Sequence, residues 1–209
     1  MVNNKKQKER IFIMDQTTTN LNTNAHGKTT SRFSTHDIVY IALFTAVIAV
    51  CSQISIPFGP VPFTLQTLGV FVTASILGGK RGTFCVIIYL LLGLIGVPVF
   101  AGFSGGPSSI VAPAFGYILG FILTALVTGI SSDHFGNRIL PMVISMIVGL
   151  FLCYVVGTIW FMLVYRMQGN GIGIATALSY CVIPFLIPDA CKIAISVILS
   201  NRLKKIIRL

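Results

Sequence analysis

The chain alternates long stretches without charged side chains with short segments that concentrate them. Residues 38–79, 82–132, 139–165 and 167–188 contain no Asp, Glu, Lys or Arg, and they are 42, 51, 27 and 22 residues long. A helix that crosses the hydrocarbon layer of about 30 Å needs about 20 apolar residues, so each of the first two stretches is long enough for two helices. The pattern predicts an all-α integral membrane protein.

Segments rich in proline and glycine divide the two longest stretches. Residues 56–63 contain three prolines, and residues 98–113 combine prolines with glycines. Proline removes a backbone donor and clashes with the preceding turn, so neither segment continues a helix. We predict six transmembrane helices, at about 38–55, 64–79, 82–97, 114–131, 139–163 and from near Pro188 to about 203.

Residues 172–187 are a further apolar stretch, which is short and contains Pro184. Counted as a span, this stretch would give seven crossings and would place the two termini on opposite sides. We predict instead either a short helix in the outer half of the membrane or an extension that leads into the last span.

Composition and charge support the membrane interpretation. Apolar residues make up 55% of the chain, charged residues only 10%, and the mean hydropathy is +0.89. Thirteen of the fifteen Lys and Arg residues lie in the N-terminal segment, the C-terminal segment and the alternate loops between them. Loops rich in Lys and Arg face the cytoplasm, so both termini are predicted to be cytoplasmic, and the net charge of +10 does not indicate a nucleic-acid partner.

The N-terminal segment differs in composition from the rest of the chain. Residues 1–35 are polar and basic, rich in Thr and Asn, and contain no apolar stretch typical of a signal peptide. We expect this tail to be disordered. Residues 36–209 are predicted to form a six-helix membrane domain that binds a substrate.

Residue types that carry enzyme chemistry are almost missing from the predicted spans. The three histidines and four of the five carboxylates lie in flanking segments, and the five cysteines show no CxxC spacing. No phosphate-binding GxxxxGK[ST] sequence occurs. The sequence therefore predicts no catalytic residue, no metal site and no cofactor, and it disfavours a membrane-embedded enzyme.

One acid and one amine remain inside the apolar part of the chain. Asp189 follows Pro188, and Lys192 lies three residues later on nearly the same helix face. A charge at membrane depth costs about 2.5–3.5 kcal/mol on insertion scales. The two groups either neutralise each other as a structural ion pair or interact with a ligand. Pro188 is predicted in the first turn of the last helix, with Asp189 at its N-terminus.

Both proline-rich turns and the 166–187 segment are predicted on the same, non-cytoplasmic side as Asp189. Together they are expected to wall an outward-facing pocket that is mainly apolar, with a few directed polar groups. Gln66 and Asp189 are the candidate polar groups. The candidate apolar walls are Phe58, Phe63, Phe100, Phe103, Tyr117 and Phe185.

The first span carries small residues at helical spacing. Ala42 and Ala46 are four residues apart, a pattern that lets another helix approach closely. The same spacing also arises in ordinary internal packing, so the sequence alone leaves both interpretations open.

The motifs of residues 38–205 resemble the BioY family, the biotin-specific substrate-capture (S) components of energy-coupling factor (ECF) transporters. The resemblance is carried by Pro60–Leu68 (PVPFTLQTL), Gly78–Gly82 (GGKRG), Tyr89–Phe103, Gly105-Gly106, Gly116-Tyr117 and Pro188–Lys192 (PDACK). The sequence departs from the family pattern at Ala114 and Phe115, where the family commonly has Thr and Gly.

This resemblance implies a six-helix fold whose ligand is biotin and lies among the outer loops and the start of the last helix. In this pocket we predict Asp189, Lys192, Gln66, Phe100 and Tyr117 as the ligand-contacting residues, and we predict location in the cell membrane. The resemblance further implies that the Ala42/Ala46 face docks on a transmembrane coupling protein, which works with two ATPase subunits. An S component for another vitamin is the alternative, because such proteins share the fold and differ in the pocket.

Overall fold

A computed structural model describes residues 34–57, 59–136 and 138–206, and this part of the chain is mainly helical. The predicted disordered tail therefore lies, apart from its last residues, outside the described part. The helices are α1 Thr35–Gln53, α2 Gln66–Leu94, α3 Phe115–Phe135, α4 Ile139–Met167, α5 Ile174–Cys181 and α6 Ile183–Ile206. Five stretches of the described residues, namely α1 to α4 and residues 174–206, are long and apolar enough to cross a membrane.

Helix α2 contains a sharp break where the sequence predicts a loop between two spans. Gly78 has a φ of 79° and a ψ of −178°, a conformation that side-chain-bearing residues rarely adopt. Beyond it the chain returns along itself, since a Cβ added to Gly82 would lie 2.8 Å from the Cα of Ala74. In a straight helix these residues would be about 12 Å apart. Helix α2 thus consists of two halves, 66–77 and 79–94, that run in opposite directions.

The last long helix begins earlier than the sequence predicts. Helix α6 starts at Ile183, so the prediction that Pro188 lies in the first turn and Asp189 at the N-terminus is wrong. Pro184 occupies the second helical position, where a missing N–H is tolerated. Because the helix starts this early, it contains both Phe185 and Asp189, which are four residues apart and share one buried face. The 172–187 segment contains both a short helix, α5, and the first turn of α6.

The connections at one end of the helices form the walls of a cavity, and this end is called the pocket end. Between α1 and α2 lies a two-stranded antiparallel hairpin, β1 Ser55–Ile56 and β2 Phe63–Thr64, which the sequence did not predict. Between α2 and α3 lie two 3-10 turns, Ala101–Phe103 and Pro107–Val111. Both connections coincide with the predicted proline-rich turns.

The opposite end, which includes Lys80, Arg81 and Lys204, is called the basic end, and hydrogen bonds from side chains join its helices. Asp133 accepts the N–H of Gly79 at 2.8 Å, where the second half of α2 begins. Ser132 donates to the carbonyl of Ser75 at 2.6 Å, and Lys204 donates to Ser132 at 2.7 Å. Helices α2, α3 and α6 are thereby joined at one level.

Candidate functional site

A cavity of about 430 Å³ opens at the pocket end. All five predicted ligand-contacting residues line it: Gln66, Phe100, Tyr117, Asp189 and Lys192. They come from the hairpin side of α2, the loop before α3, α3 itself and α6. The fold thus brings together side chains that lie up to 126 positions apart in the sequence.

Asp189 and Lys192 form a buried ion pair in the wall of the cavity. The Lys192 Nζ atom lies 2.7 Å from Asp189 Oδ1, and the two residues are only 4% and 3% exposed. Their spacing of three positions on α6 makes the contact possible within one helix. The mutual pairing foreseen as the structural alternative is therefore present, and the same pair faces the cavity.

Two further hydroxyl groups complete this pair. Tyr154 of α4 donates its phenolic hydrogen to Asp189 Oδ2 at 2.5 Å. Thr67 of α2 accepts from Lys192 Nζ at 3.2 Å and lies 3.5 Å from Asp189 Oδ1. The sequence analysis missed both residues. No local spacing signals them, because their partners lie on α6, 35 and more than 120 residues away.

An aromatic ring covers the ammonium group from the hairpin side. Lys192 Nζ lies 4.1 Å above the ring centroid of Phe63, a distance at which the ring quadrupole attracts a cation. Phe63 in turn stacks against Phe185, with ring centroids 6.3 Å apart. The hairpin is therefore attached to α6 beside the ion pair.

Gln66 lines the cavity, but its amide group already has partners. Its Oε1 accepts from Thr64 at 2.9 Å, and its Nε2 donates to the Tyr89 hydroxyl at 2.6 Å. Tyr89 donates onward to the carbonyl of Val99 at 3.1 Å. Gln66 therefore links the hairpin to the loop that precedes α3, in addition to forming part of the wall.

Aromatic side chains form another part of the cavity wall. Phe100, only 2% exposed, packs edge-on against Tyr89 and Phe115, with ring centroids 5.5 and 6.5 Å apart. Phe115 also contacts Trp160, at 5.7 Å between centroids. The departure from the family pattern at residue 115 thus adds a ring to this wall.

The other predicted wall residues have different positions. Phe185 lines the cavity. Phe103 is 72% exposed and does not line it. Phe63 does not line it either, so the prediction of these two as wall residues is wrong. Phe58 lies outside the described residues.

Tyr117 is held from α4. Its hydroxyl lies 3.5 Å from Thr158 Oγ1, and its ring occupies the space that a side chain at position 157 would need. The ring edge is thereby fixed at the cavity, between α3 and α4.

The arrangement is suited to binding rather than to covalent chemistry. A carboxylate offers acceptors and an ammonium group offers donors, within a cavity whose remaining walls are mostly apolar. Among the residues that the structure describes, no group of three or more His, Cys, Asp and Glu is placed to hold a metal ion.

The predicted partner face lies on α1, which contributes no residue to the lining of the cavity. Ala42 and Ala46 are exposed, together with Leu43, Val47 and Val50, whereas Phe44 and Ile48 point into the core. Helix α1 thus has one packed face and one apolar face that the other described residues leave uncovered.

Comparison with known proteins places these observations in a family. The BioY family profile matches residues 22–209. The chain is 40% identical over 169 residues to "Biotin transporter BioY" of Thermotoga maritima, covering 81% of this chain and 96% of that protein. It is 36% identical over 168 residues to "Probable biotin transporter BioY" of Pyrococcus horikoshii, covering 80% and 96%.

A solved structure has the same fold. The crystal structure described as the S-component for biotin from an ECF-type ABC transporter superposes with a TM-score of 0.72 and 30% sequence identity. The alignment covers 81% of this chain and 91% of that one. The profile match over nearly the whole chain and the two relatives agree with this fold, and they establish that the chain belongs to the BioY family.

Proposed function

We propose that this chain is the biotin-binding S component of an ECF-type vitamin transporter and that it captures biotin in the cavity at the pocket end. The observation that carries the proposal is the buried Asp189–Lys192 pair in the wall of a cavity of about 430 Å³. That volume lies within the range typical of small-molecule sites, about 300–1,000 Å³. As a member of the BioY family, the chain is a transporter component and not an enzyme.

Biotin matches the groups in this cavity. Its ureido ring has N–H donors and a carbonyl acceptor, so Asp189 accepts an ureido N–H and Lys192 donates to the ureido carbonyl or pairs with the ligand's carboxylate. Phe100 and Tyr117 cover the apolar ring and chain, and Gln66 contributes to the wall beside them. A ligand that replaces water at both charges offsets part of the cost of keeping them buried.

The same proposal includes the orientation of the chain in the cell membrane. Six crossings follow if the two halves of α2 count separately, and both termini are then cytoplasmic. The basic side chains Lys80, Arg81, Arg138, Arg202, Lys204 and Lys205 are at or near the basic end, opposite the cavity, as the positive-inside rule requires. In sealed, right-side-out vesicles, external protease is expected to spare a C-terminal tag. Cleavage of the tag would contradict this orientation.

Partners follow from the same assignment. The exposed apolar face of α1 with Ala42 and Ala46 docks on the transmembrane coupling protein, and two ATPase subunits power import. Replacing Ala46 by Trp is expected to prevent co-purification with the coupling complex and to leave biotin binding intact, because the residue is exposed and does not line the cavity.

Titration of the purified protein with biotin and, separately, with thiamine, riboflavin and folate tests the ligand. Saturable binding of biotin alone is the expected result. Binding of another vitamin in place of biotin would support the alternative S-component assignment.

We expect Asp189→Asn to weaken biotin binding by about tenfold or more, since an amide is a poorer acceptor than a carboxylate. Unchanged affinity would refute the role of Asp189.

A further inference from the structure

The end of α1 forms hydrogen bonds with the loop that forms one side of the cavity. Gln53, the last residue of α1, donates from Nε2 to the carbonyl of Phe100 at 3.1 Å and to that of Pro98 at 3.3 Å. Its Oε1 accepts the N–H of Phe103 at 3.0 Å. One side chain therefore binds three backbone groups within six residues of loop.

Ser52 and Tyr89 also form hydrogen bonds with this loop. The Ser52 hydroxyl donates to the carbonyl of Val99, and the Tyr89 hydroxyl donates to the same carbonyl. Gln53 Nε2 also lies 3.1 Å from Ser52 Oγ. The loop is thereby held through its backbone from two helices.

The segment that these side chains hold is part of the binding wall. Phe100, Ala101, Ser104 and Gly105 line the cavity. The ring of Phe100 fills the space that a side chain at Gly93 would occupy, so the position of this loop determines where the wall lies.

Two residues of this loop have backbone conformations that local preference does not favour. Gly102 and Phe103 both have positive φ, 69° and 56°, and for phenylalanine this is an unfavourable region. The Phe103 side chain is 72% exposed and contributes little packing. The backbone N–H of Phe103 donates to Gln53 Oε1, so this hydrogen bond supports the residue whose φ is least favourable in the turn.

We propose that Gln53 is a positioning residue that keeps the 98–104 loop closed over the cavity and so sets how fast biotin leaves. Gln53 itself does not line the cavity. The statement about biotin rests on the proposed function, whereas the statement about the loop does not need a ligand.

Two measurements on the full chain in detergent test this inference, with Gln53→Leu as the main variant. Without biotin, amide hydrogen exchange in residues 98–104 is expected to become faster than in the wild type. With labelled biotin, the dissociation rate is expected to rise about tenfold, the scale of one or two lost net hydrogen bonds. Gln168→Leu, at an exposed glutamine that does not line the cavity, is the matched control and is expected to change neither rate.

Gln53→Glu is the second variant, in case the leucine does not fold. It keeps an acceptor for Phe103, but a carboxylate oxygen then faces the carbonyls of Phe100 and Pro98 and repels them, so both rates are expected to be faster than in the wild type. Unchanged exchange in both variants would overturn the inference, and so would faster exchange with an unchanged dissociation rate. A wild type that binds no biotin would instead refute the proposed function, and exchange would still decide whether Gln53 holds the loop.

Discussion

The pocket end and the basic end each contain an aspartate paired with a basic side chain, but in opposite surroundings. At the basic end, Arg81 and Asp37 lie 2.9 Å apart with side chains 36% and 14% exposed. At the pocket end, Lys192 and Asp189 lie 2.7 Å apart with side chains 5% and 4% exposed. Exposed pairs contribute about 0–1 kcal/mol, whereas breaking a buried pair costs about 3–5 kcal/mol.

The packing around the two pairs also differs, and it is tighter at the basic end than at the pocket end. At the basic end the helix backbones meet directly, since a Cβ on Gly129 would collide with the backbone of Gly78 and Gly79. At the pocket end the pair borders open volume. A buried pair is weak evidence for stability, because well-packed apolar residues often replace one without loss. The contrast agrees with the proposal that the pocket end binds the ligand, whereas the basic end stabilises the fold.

The largest effect is expected from Lys192→Met, which leaves Asp189 buried without its cation. We expect unfolding free energy to fall by about 3–5 kcal/mol and biotin binding to be lost. Denaturant titration in detergent and equilibrium binding measure the two changes.

The double variant Asp189→Leu/Lys192→Met separates stability from binding. Removing both charges is expected to restore most of the stability and none of the binding. A double variant that still binds biotin would contradict the assignment of this pair to the ligand.

Gly129→Ala tests the other end. The added methyl group must displace the backbone at Gly78 and Gly79, and overpacking of this kind costs about 1–3 kcal/mol. Biotin affinity of the folded protein is expected to remain within about twofold of the wild type, because Gly129 lies away from the cavity. Gly171→Ala, where an added Cβ meets nothing, is the control. An affinity loss as large as that of a cavity variant would show that the two ends are not separable.

Tyr154→Phe removes one hydrogen bond to the buried carboxylate and nothing else from the wall. A bond to a charged group contributes about 1.5–3 kcal/mol, so we expect biotin affinity to drop about tenfold as Asp189 reorients. Isothermal titration is the measurement, with the exposed Tyr180→Phe as the control. Equal affinity in all three proteins would remove Tyr154 from the site.

The smallest effect is expected from Asp37→Asn at the basic end. Loss of the partly exposed pair with Arg81 is expected to change unfolding free energy by about 0–1 kcal/mol and to leave biotin affinity unchanged. Thermal unfolding and binding measured on one sample are sufficient. A drop comparable to that of Lys192→Met would remove the distinction between the two pairs.

Much of the fold follows from periodic and local features of the sequence. Charge-free length predicts the helices, and the break at Gly78 coincides with the predicted loop because a Gly-Gly-Lys-Arg sequence interrupts apolar residues. The start of the last helix was missed because Pro184 and Pro188 are each compatible with a first turn. Burial of Phe185 against the core favours the earlier start, and burial is a tertiary property.

The candidate site divides along the same line. Asp189 and Lys192 were predictable, because two charges three residues apart in an apolar stretch require an explanation. Thr67, Tyr154 and Gln53 were not, because each acts on a group in another helix or loop and resembles many other polar residues when seen alone. Only the packing of α2, α4 and α6 selects Thr67 and Tyr154, and only the contact of α1 with the 98–104 loop selects Gln53.

The ring of Phe100 and the absence of a side chain at Gly93 depend on each other. A larger residue at 93 would occupy the space of that ring, so a lineage that changes one position must also shrink or move the other. Across descendants of a common ancestor, these two positions are therefore expected to vary together, and the shape of the binding wall with them.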